Sequence, residues 1–224
     1  CFIGYVGKDH FGEHIREVLF DQGIDISMLG IDPHGTKRSV NIMYKNGGRK
    51  NFYDGKGSMI LEIDTEAVAS YLSGTKLAHI NIVNWTRDLL RPLKKAGLTL
   101  SIDIQDVIDP EDSYREDYVR EADVLFFSST NFGDPSFLIE KYLEIRSDRI
   151  VICGLGKKGC IVGNEKRIEH FDPVELTEPV VDTNGAGDSL AAGFLSSYFL
   201  EGYSMKEAVL SCLLYTSPSP RDRT

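Results

Sequence analysis

Short apolar runs of strand length alternate with stretches of helical period, and this alternation limits the fold more than any other feature of the chain. Residues 123–127 and 150–153 are near-continuous apolar runs and 77–83 and 98–104 carry apolar residues at a period near two, while 87–96, 111–121 and 135–146 repeat their apolar residues at helical spacing. Strands apolar on both faces and joined by helices build βαβ units, which place a parallel sheet between two helical layers. The expected class is therefore α/β, with a mostly parallel central sheet. Nearer the start, 1–6 reads as a buried strand. Phe11, Ile15, Val18 and Leu19 then line one face of a helix that Gly23 ends, and Asp64 caps a helix running to Leu72. Residues 39–44 and 50–53 flank Asn46-Gly47-Gly48 as an antiparallel hairpin. That hairpin, within 35–58, breaks the alternation and is predicted to stand off the main sheet as a small flap. A further hairpin carries 159–162, and a long helix spans 186–200. With no internal repeat and no low-complexity linker, one domain is expected over 1–214. Pro218 and Pro220 forbid continued helix, so 215–224 is expected to be a disordered or non-native tail. Opening on Cys1 inside a strand, the chain reads as a piece that begins within a fold.

Composition removes several function classes. The 224 residues carry 42% hydrophobic and 26% charged side chains and a formal charge of −9. No apolar run approaches the ~18 residues of a membrane helix. An acidic chain offers no basic face to nucleic acid or to an acidic membrane, so neither is expected as a partner. Cys1, Cys153, Cys160 and Cys212 form no CxxC pair and no metal-like spacing with His10, His14, His34, His79 and His170. They read as thiols in a reducing compartment such as the cytoplasm, and the scattered histidines read as surface or core.

Two glycine-rich segments carry candidate chemistry. Gly154-Leu155-Gly156-Lys157-Lys158-Gly159 matches GxGxxG, but a strand pattern follows it where a dinucleotide fingerprint would open a helix. A glycine β-turn is the better reading, one whose bare backbone lets a phosphate or base approach. In the second segment, Val180-Val181 closes a strand and Asp182-Thr183-Asn184-Gly185-Ala186-Gly187-Asp188 leads into a helix of small residues. Its orphan N–H groups and the positive end of the helix dipole converge on one point, an anion site. Asp is also a common helix cap. Beside a bound phosphate, however, a carboxylate is repelled unless it takes a proton from a hydroxyl attacking that phosphate.

This segment resembles the DTxGAGD signature of the ribokinase-like (PfkB) carbohydrate kinases, matching at every position from Asp182 to Asp188. The likeness extends over most of 1–212. Val6-Gly7-Lys8-Asp9-His10-Phe11-Gly12 resembles the family's VGxDxFG turn, the 35–58 hairpin its substrate lid, and 154–159 its nucleotide-side turn. The resemblance implies a three-layer ribokinase-like fold and ATP-dependent phosphorylation of a hydroxyl on a sugar, sugar acid or nucleoside. It implies Asp188 as general base, Gly185, Ala186 and Gly187 as anion hole, and Gly154, Gly156, Gly159 and Thr183 at the nucleotide. Asp182 and Asn184 match ligands of a monovalent cation such as K+, and Mg2+ accompanies the ATP. Asn184, with Asn81 and Asp103 near strand ends, is a candidate for substrate contact, and the lid allows a homodimer.

The pattern departs from the family at Ser128 and Asn131, which stand where the magnesium-linked NxxE is usual. The family's first sugar-binding motif would precede Cys1 and its adenine wall would follow Cys212, so residues 1–224 alone are expected to be weakly active. A pyridoxal-type vitamin kinase of the same superfamily and a non-catalytic nucleotide- or sugar-binding relative remain as alternative readings. The lid hairpin favours the sugar branch, and an intact Asp188 weighs against the non-catalytic reading.

Overall fold

The computed structural model describes residues 1–43, 49–129, 131–174 and 184–215. In chain order its elements are β1 (Gly4–Val6), α1 (His10–Asp21), β2 (Leu29–Ile31), β3 (Arg38–Met43), β4 (Arg49–Asp54), α2 (Thr65–Tyr71), β5 (Leu77–Asn81), α3 (Arg87–Lys95), β6 (Thr99–Asp106), α4 (Ser113–Glu121), β7 (Val124–Ser128), α5 (Pro135–Ile145), β8 (Ile150–Gly154), β9 (Cys160–Gly163), β10 (Ile168–Phe171), α6 (Ala186–Leu195) and α7 (Met205–Tyr215). The chain divides into two compact units, one of residues 1–74 and 83–92, the other of 75–82 and 93 onward.

The second unit holds a six-stranded sheet in the order β10-β9-β8-β7-β6-β5. Strands β5 to β8 run parallel, and β9 and β10 are antiparallel additions. Alternation of side chains sorts its two faces. Leu125, Phe127, Val151 and Cys153 point to the α5 side, where Phe127 meets Tyr142 edge-on at 5.4 Å. Val124, Phe126, Ile152, Cys160 and Val162 point the other way, into one buried cluster with Leu190, Ala191 and Phe194 of α6 and Ala208, Val209 and Cys212 of α7. Burial on both faces explains why these strands read as continuous apolar runs. On β5 and β6 the α6-side face changes character. There His79 pairs in register with Ser101, and Asn81 with Asp103.

In the first unit β1 pairs in parallel with β2, and β3 with β4 as the expected hairpin. The hairpin's turn, 44–48, lies outside the described residues. Val40, Ile42, Phe52 and Tyr53 are exposed on it. Aspartates anchor the ends of this segment. Asp9 caps α1 through Gly12 N at 2.9 Å and also accepts from Thr36 N at 2.8 Å and Thr36 Oγ1 at 2.6 Å. Asp32, 1% exposed, accepts from His34 N at 2.8 Å and Gly57 N at 2.9 Å. Hydrogen bonds from Thr36 and Gly12 hold the Asp9 carboxyl down at about 2. Burial opposes ionisation of Asp32, yet the bonds from His34 and Gly57 win and lower it too. Both aspartates are depressed, so their stabilisation is present above the ordinary carboxylate pKa and is lost as pH falls through the folded values. Replacing Asp32 by Ala strands two inward N–H groups, and the urea midpoint is expected to fall by the equivalent of about 2–4 kcal/mol. A midpoint within experimental error of the parent's would show that the clamp contributes nothing.

Several local expectations need correction. Only Gly4–Val6 of the first run is strand, and Phe2 is 44% exposed. Of α1 only Gly12 is buried, while Phe11 and Val18 are 49% and 46% exposed; the Arg38 guanidinium sits 5.3 Å over the Phe11 ring. The helix begun at Ala186 does reach Leu200, but its last stretch, Ser196–Leu200, widens into a π turn. α7 continues to Tyr215, and 216–224 lie outside the described residues. β2 and β10 went unread because strands this short show no period.

Candidate active site

The site is assembled at the C-terminal ends of the parallel strands, where open α/β sheets bind ligands. β8 ends at Gly154, a 3-10 turn (Gly156–Lys158) follows, and β9 returns antiparallel. The 154–159 segment is thus a glycine turn and opens no α-helix, as its context indicated. Gly156 and Gly159 both take positive φ, +57° and +83°. Among the described residues nothing lies within 4 Å of where a Gly156 Cβ would be, so that backbone is open to a ligand. A Cβ on Gly154 would meet Leu190 of α6 at 3.7 Å, which puts this turn beside the start of α6.

Gly185 caps α6 with φ +75° and has no side chain to cap it. The first helical bond is Ser189 N to Gly185 O at 2.8 Å. Among the described residues, the N–H groups of Ala186, Gly187 and Asp188 therefore lack acceptors, and space around Gly187 is open. Three orphan donors at a dipole's positive end suit a phosphoryl group. Asp188 lies in this first turn, exposed. Asp182 and Thr183 lie outside the described residues, and Asn184 is exposed in the turn before α6.

Asp103 sits near the end of β6, half-buried. Burial raises its carboxyl pKa and the Asp188 charge adds to that, against a 2.7 Å bond from Gln105 N to Oδ1. Gln105 holds φ +63° at the β6 irregularity, where register shifts between Asp103 and Asp106. Asp188 also acts on His79, whose imidazole desolvation lowers. The structure thus brings Asp103 and Asp188 into one electrostatic neighbourhood, with Asn81 paired to Asp103 on the neighbouring strand. His79 was the residue that sequence reasoning set aside. The available signal was parity: His79 and Asn81 straddle Ile80, so both face the side that carries Ser101 and Asp103.

The Asn131 side chain donates to the Asp106 carboxylate, and Asp106 pairs in register with Ser128 at the adjoining strand end. Among the described residues no group of three or more His, Cys, Asp or Glu could hold a metal ion. The carboxylates at this end of β6 are those of Asp103, which accepts from Gln105 N, and Asp106, which accepts from the Asn131 side chain. Burial pushes the Cys153 thiol up to about 11 and those of Cys160 and Cys212 to about 12, so these three stay protonated.

The fold is that of the ribokinase-like kinases. It overlays the Arabidopsis thaliana ribokinase complexed with ribose and ATP at a TM-score of 0.79 and 20% identity, over 96% of this chain and 74% of that one. The Microbiome-derived Acarbose Kinase Mak1 overlays at 0.79 with 26% identity, over 95% and 71%. The chain belongs to the pfkB family of carbohydrate kinases, whose family model matches residues 1–211. Relatives include the Acarbose 7(IV)-phosphotransferase of Actinoplanes sp., 27% identical over 95% of this chain and 70% of that protein. The Fructoselysine 6-kinase of Escherichia coli is 27% identical over 92% and 77%. Among the described residues, no helix is long and apolar enough to cross a membrane.

Proposed function

We propose that this chain is the catalytic body of an ATP-dependent kinase that phosphorylates a hydroxyl of a sugar or sugar derivative, with Asp188 as general base. The observation that carries the reading is the start of α6, where three N–H groups without an acceptor among the described residues share a single helical turn with one carboxylate. The acceptor oxygen attacks the γ-phosphorus as the bond to the ADP oxygen breaks, and its proton passes to Asp188. Charge on the transferring phosphoryl oxygens meets the N–H groups of Ala186, Gly187 and Asp188. The 154–159 turn, with Thr183, lines the nucleotide. Asp103, Asn81 and Asn184 meet the acceptor, and Asp182 with Asn184 holds a monovalent cation beside the anion hole. Magnesium, when bound with ATP, screens the phosphate charge. The hairpin of β3 and β4 has the lid role, and its exposed apolar side chains suit pairing with a second chain.

The relatives named for fructoselysine, acarbose and fructose favour a sugar over a nucleoside or a vitamin as acceptor. ADP release in the presence of ATP and Mg2+ should therefore respond to a ketose, an amino-acid adduct of a ketose, or an oligosaccharide. Release with pyridoxal and with no sugar would overturn the sugar assignment in favour of the vitamin-type kinase.

The anion hole has its own test. Gly187 is helical, and among the described residues nothing lies within 4 Å of where its Cβ would be. Gly187→Ala should therefore leave stability level or raise it by up to about 1 kcal/mol, while its methyl group crowds an approaching phosphate. Thermal unfolding and ATP titration should move in opposite directions. Unchanged ATP affinity would place the phosphate elsewhere.

A further inference from the structure

Strand β6 carries one residue more than its neighbour matches. Three steps along β6, from Asp103 to Asp106, align with two along β7, from Phe126 to Ser128. The extra residue makes a β-bulge, and Gln105 inside it holds φ +63°, a left-handed conformation that strains any residue but glycine. Residues three apart on a regular strand point to opposite faces. The bulge cancels that: Asp103 lies in register with Phe126 and Asp106 with Ser128, so both carboxylates come to the face on which Phe126 meets Phe194 of α6 at 6.0 Å.

Backbone strain of this kind persists only where the surroundings hold it, and here the holder is an arginine of α4. The Arg115 guanidinium forks over the bulge: Nε donates to Ile104 O at 2.9 Å and Nη2 to Asp106 O at 3.1 Å, the carbonyls on either side of Gln105. Nη1 pairs with Asp112, the cap of the same helix, which fixes the fork. Asp103 Oδ1 in turn accepts from Gln105 N at 2.7 Å, and the Asp106 carboxylate accepts from the Asn131 side chain. We propose that Arg115 is a positioning residue for Asp103, holding the bulge in the shape that aims this carboxylate at an acceptor hydroxyl. This rests on reading Asp103 as an acceptor contact. A lysine at 115 keeps the charge, but its point-like ammonium cannot span two carbonyls as the planar fork does. Without the fork Gln105 relaxes toward ordinary dihedrals, its N–H leaves Asp103, and the carboxylate loses its orientation.

Two measurements on Arg115→Lys test this. Amide hydrogen exchange, followed by NMR in the 224-residue chain, should show the Gln105 N–H protected in the parent and about tenfold faster in the variant, with the Leu100 and Ile102 amides of the same strand unchanged. A parent Gln105 amide without protection overturns the inference. So does a variant in which Gln105 exchanges as in the parent, or in which all three amides quicken together, since that marks lost stability and not local release. In turnover with ATP, Mg2+ and fructose, the sugar in one relative's name, KM for fructose should rise about tenfold or more while KM for ATP holds. A clamp that serves only the fold leaves both constants where they were, and that result overturns the role as well. Asp103→Asn separates the two readings. If it raises the fructose KM and Arg115→Lys does not, the positioning role alone fails. If Asp103→Asn leaves the fructose KM unchanged, Asp103 is no acceptor contact and the role of Arg115 falls with it.

Discussion

Asp188→Asn is expected to lower kcat by ~10²–10⁴-fold, or roughly 3–5 kcal/mol of barrier, while the fold stays intact. The side chain is exposed in the first turn of α6, where Gly185 and not Asp188 is the cap. Little packing is lost, and Asn keeps the shape while giving up the ability to take a proton. The swap also removes a negative charge beside three N–H groups that have no acceptor among the described residues, so ATP affinity should hold or rise. If Asp188 served only the helix dipole, the loss would be a few tenths of a kcal/mol to about 1 kcal/mol, and turnover would barely change. The discriminating measurement is kcat alongside the ATP dissociation constant and the melting temperature. A large drop in kcat with the other two steady supports the base, whereas near-normal kcat removes Asp188 from the reaction.

How much of this was legible in the sequence follows from how each element is stabilised. Strands β7 and β8 are buried on both faces, so their apolar runs had one reading, β6 showed its alternation, and the helices between them showed their period. The 182–188 segment was legible because small residues before a helix leave bare N–H groups whatever surrounds them. β1 and β2, three residues each, hold together by pairing with one another, and periodicity says nothing about such pairing. α1 misled for a related reason. Its apolar side chains are spaced for burial, yet Phe11, with the Arg38 guanidinium and the His10 ring against it, stays 49% exposed and Val18 46%. The neighbourhood of Asp103, His79 and Asp188 was partly hidden because it joins three elements far apart in sequence. Parity along β5 and β6 predicts which residues share a face, but not that the Asp188 charge, on an element far along the chain, acts on them.

The second large effect is expected at Gly159 and separates the architecture of the glycine turn from its chemistry. Gly159 has φ +83° and ψ −134°, close to a region that only glycine occupies readily, at a cost to other residues of about 1–3 kcal/mol. Its amide donates to Gly156 O at 3.1 Å and its carbonyl accepts from Leu155 N at 2.9 Å, so the residue closes the turn from both sides. A Cβ there would sit 2.0 Å from Phe171 O and 2.9 Å from the backbone of Asp172 and Pro173. Those atoms belong to β10 and the chain leaving it, so relief requires a shift of the antiparallel edge of the sheet. Backbone strain and overlap together should make Gly159→Ala cost about 4 kcal/mol or more, among the larger effects of single substitutions. Gly156→Ala is the control. Its φ of +57° is left-handed but its surroundings are open, so only the intrinsic penalty of about 1–2 kcal/mol applies. Urea midpoints at constant m-value should therefore separate the two variants by several-fold in lost stability. Equal losses would mean that β10 does not press on the turn. If Gly156→Ala, folded and little destabilised, also lost ATP affinity, the open backbone at 156 would be the part of the turn that nucleotide uses, and Gly159 the part that holds it in shape.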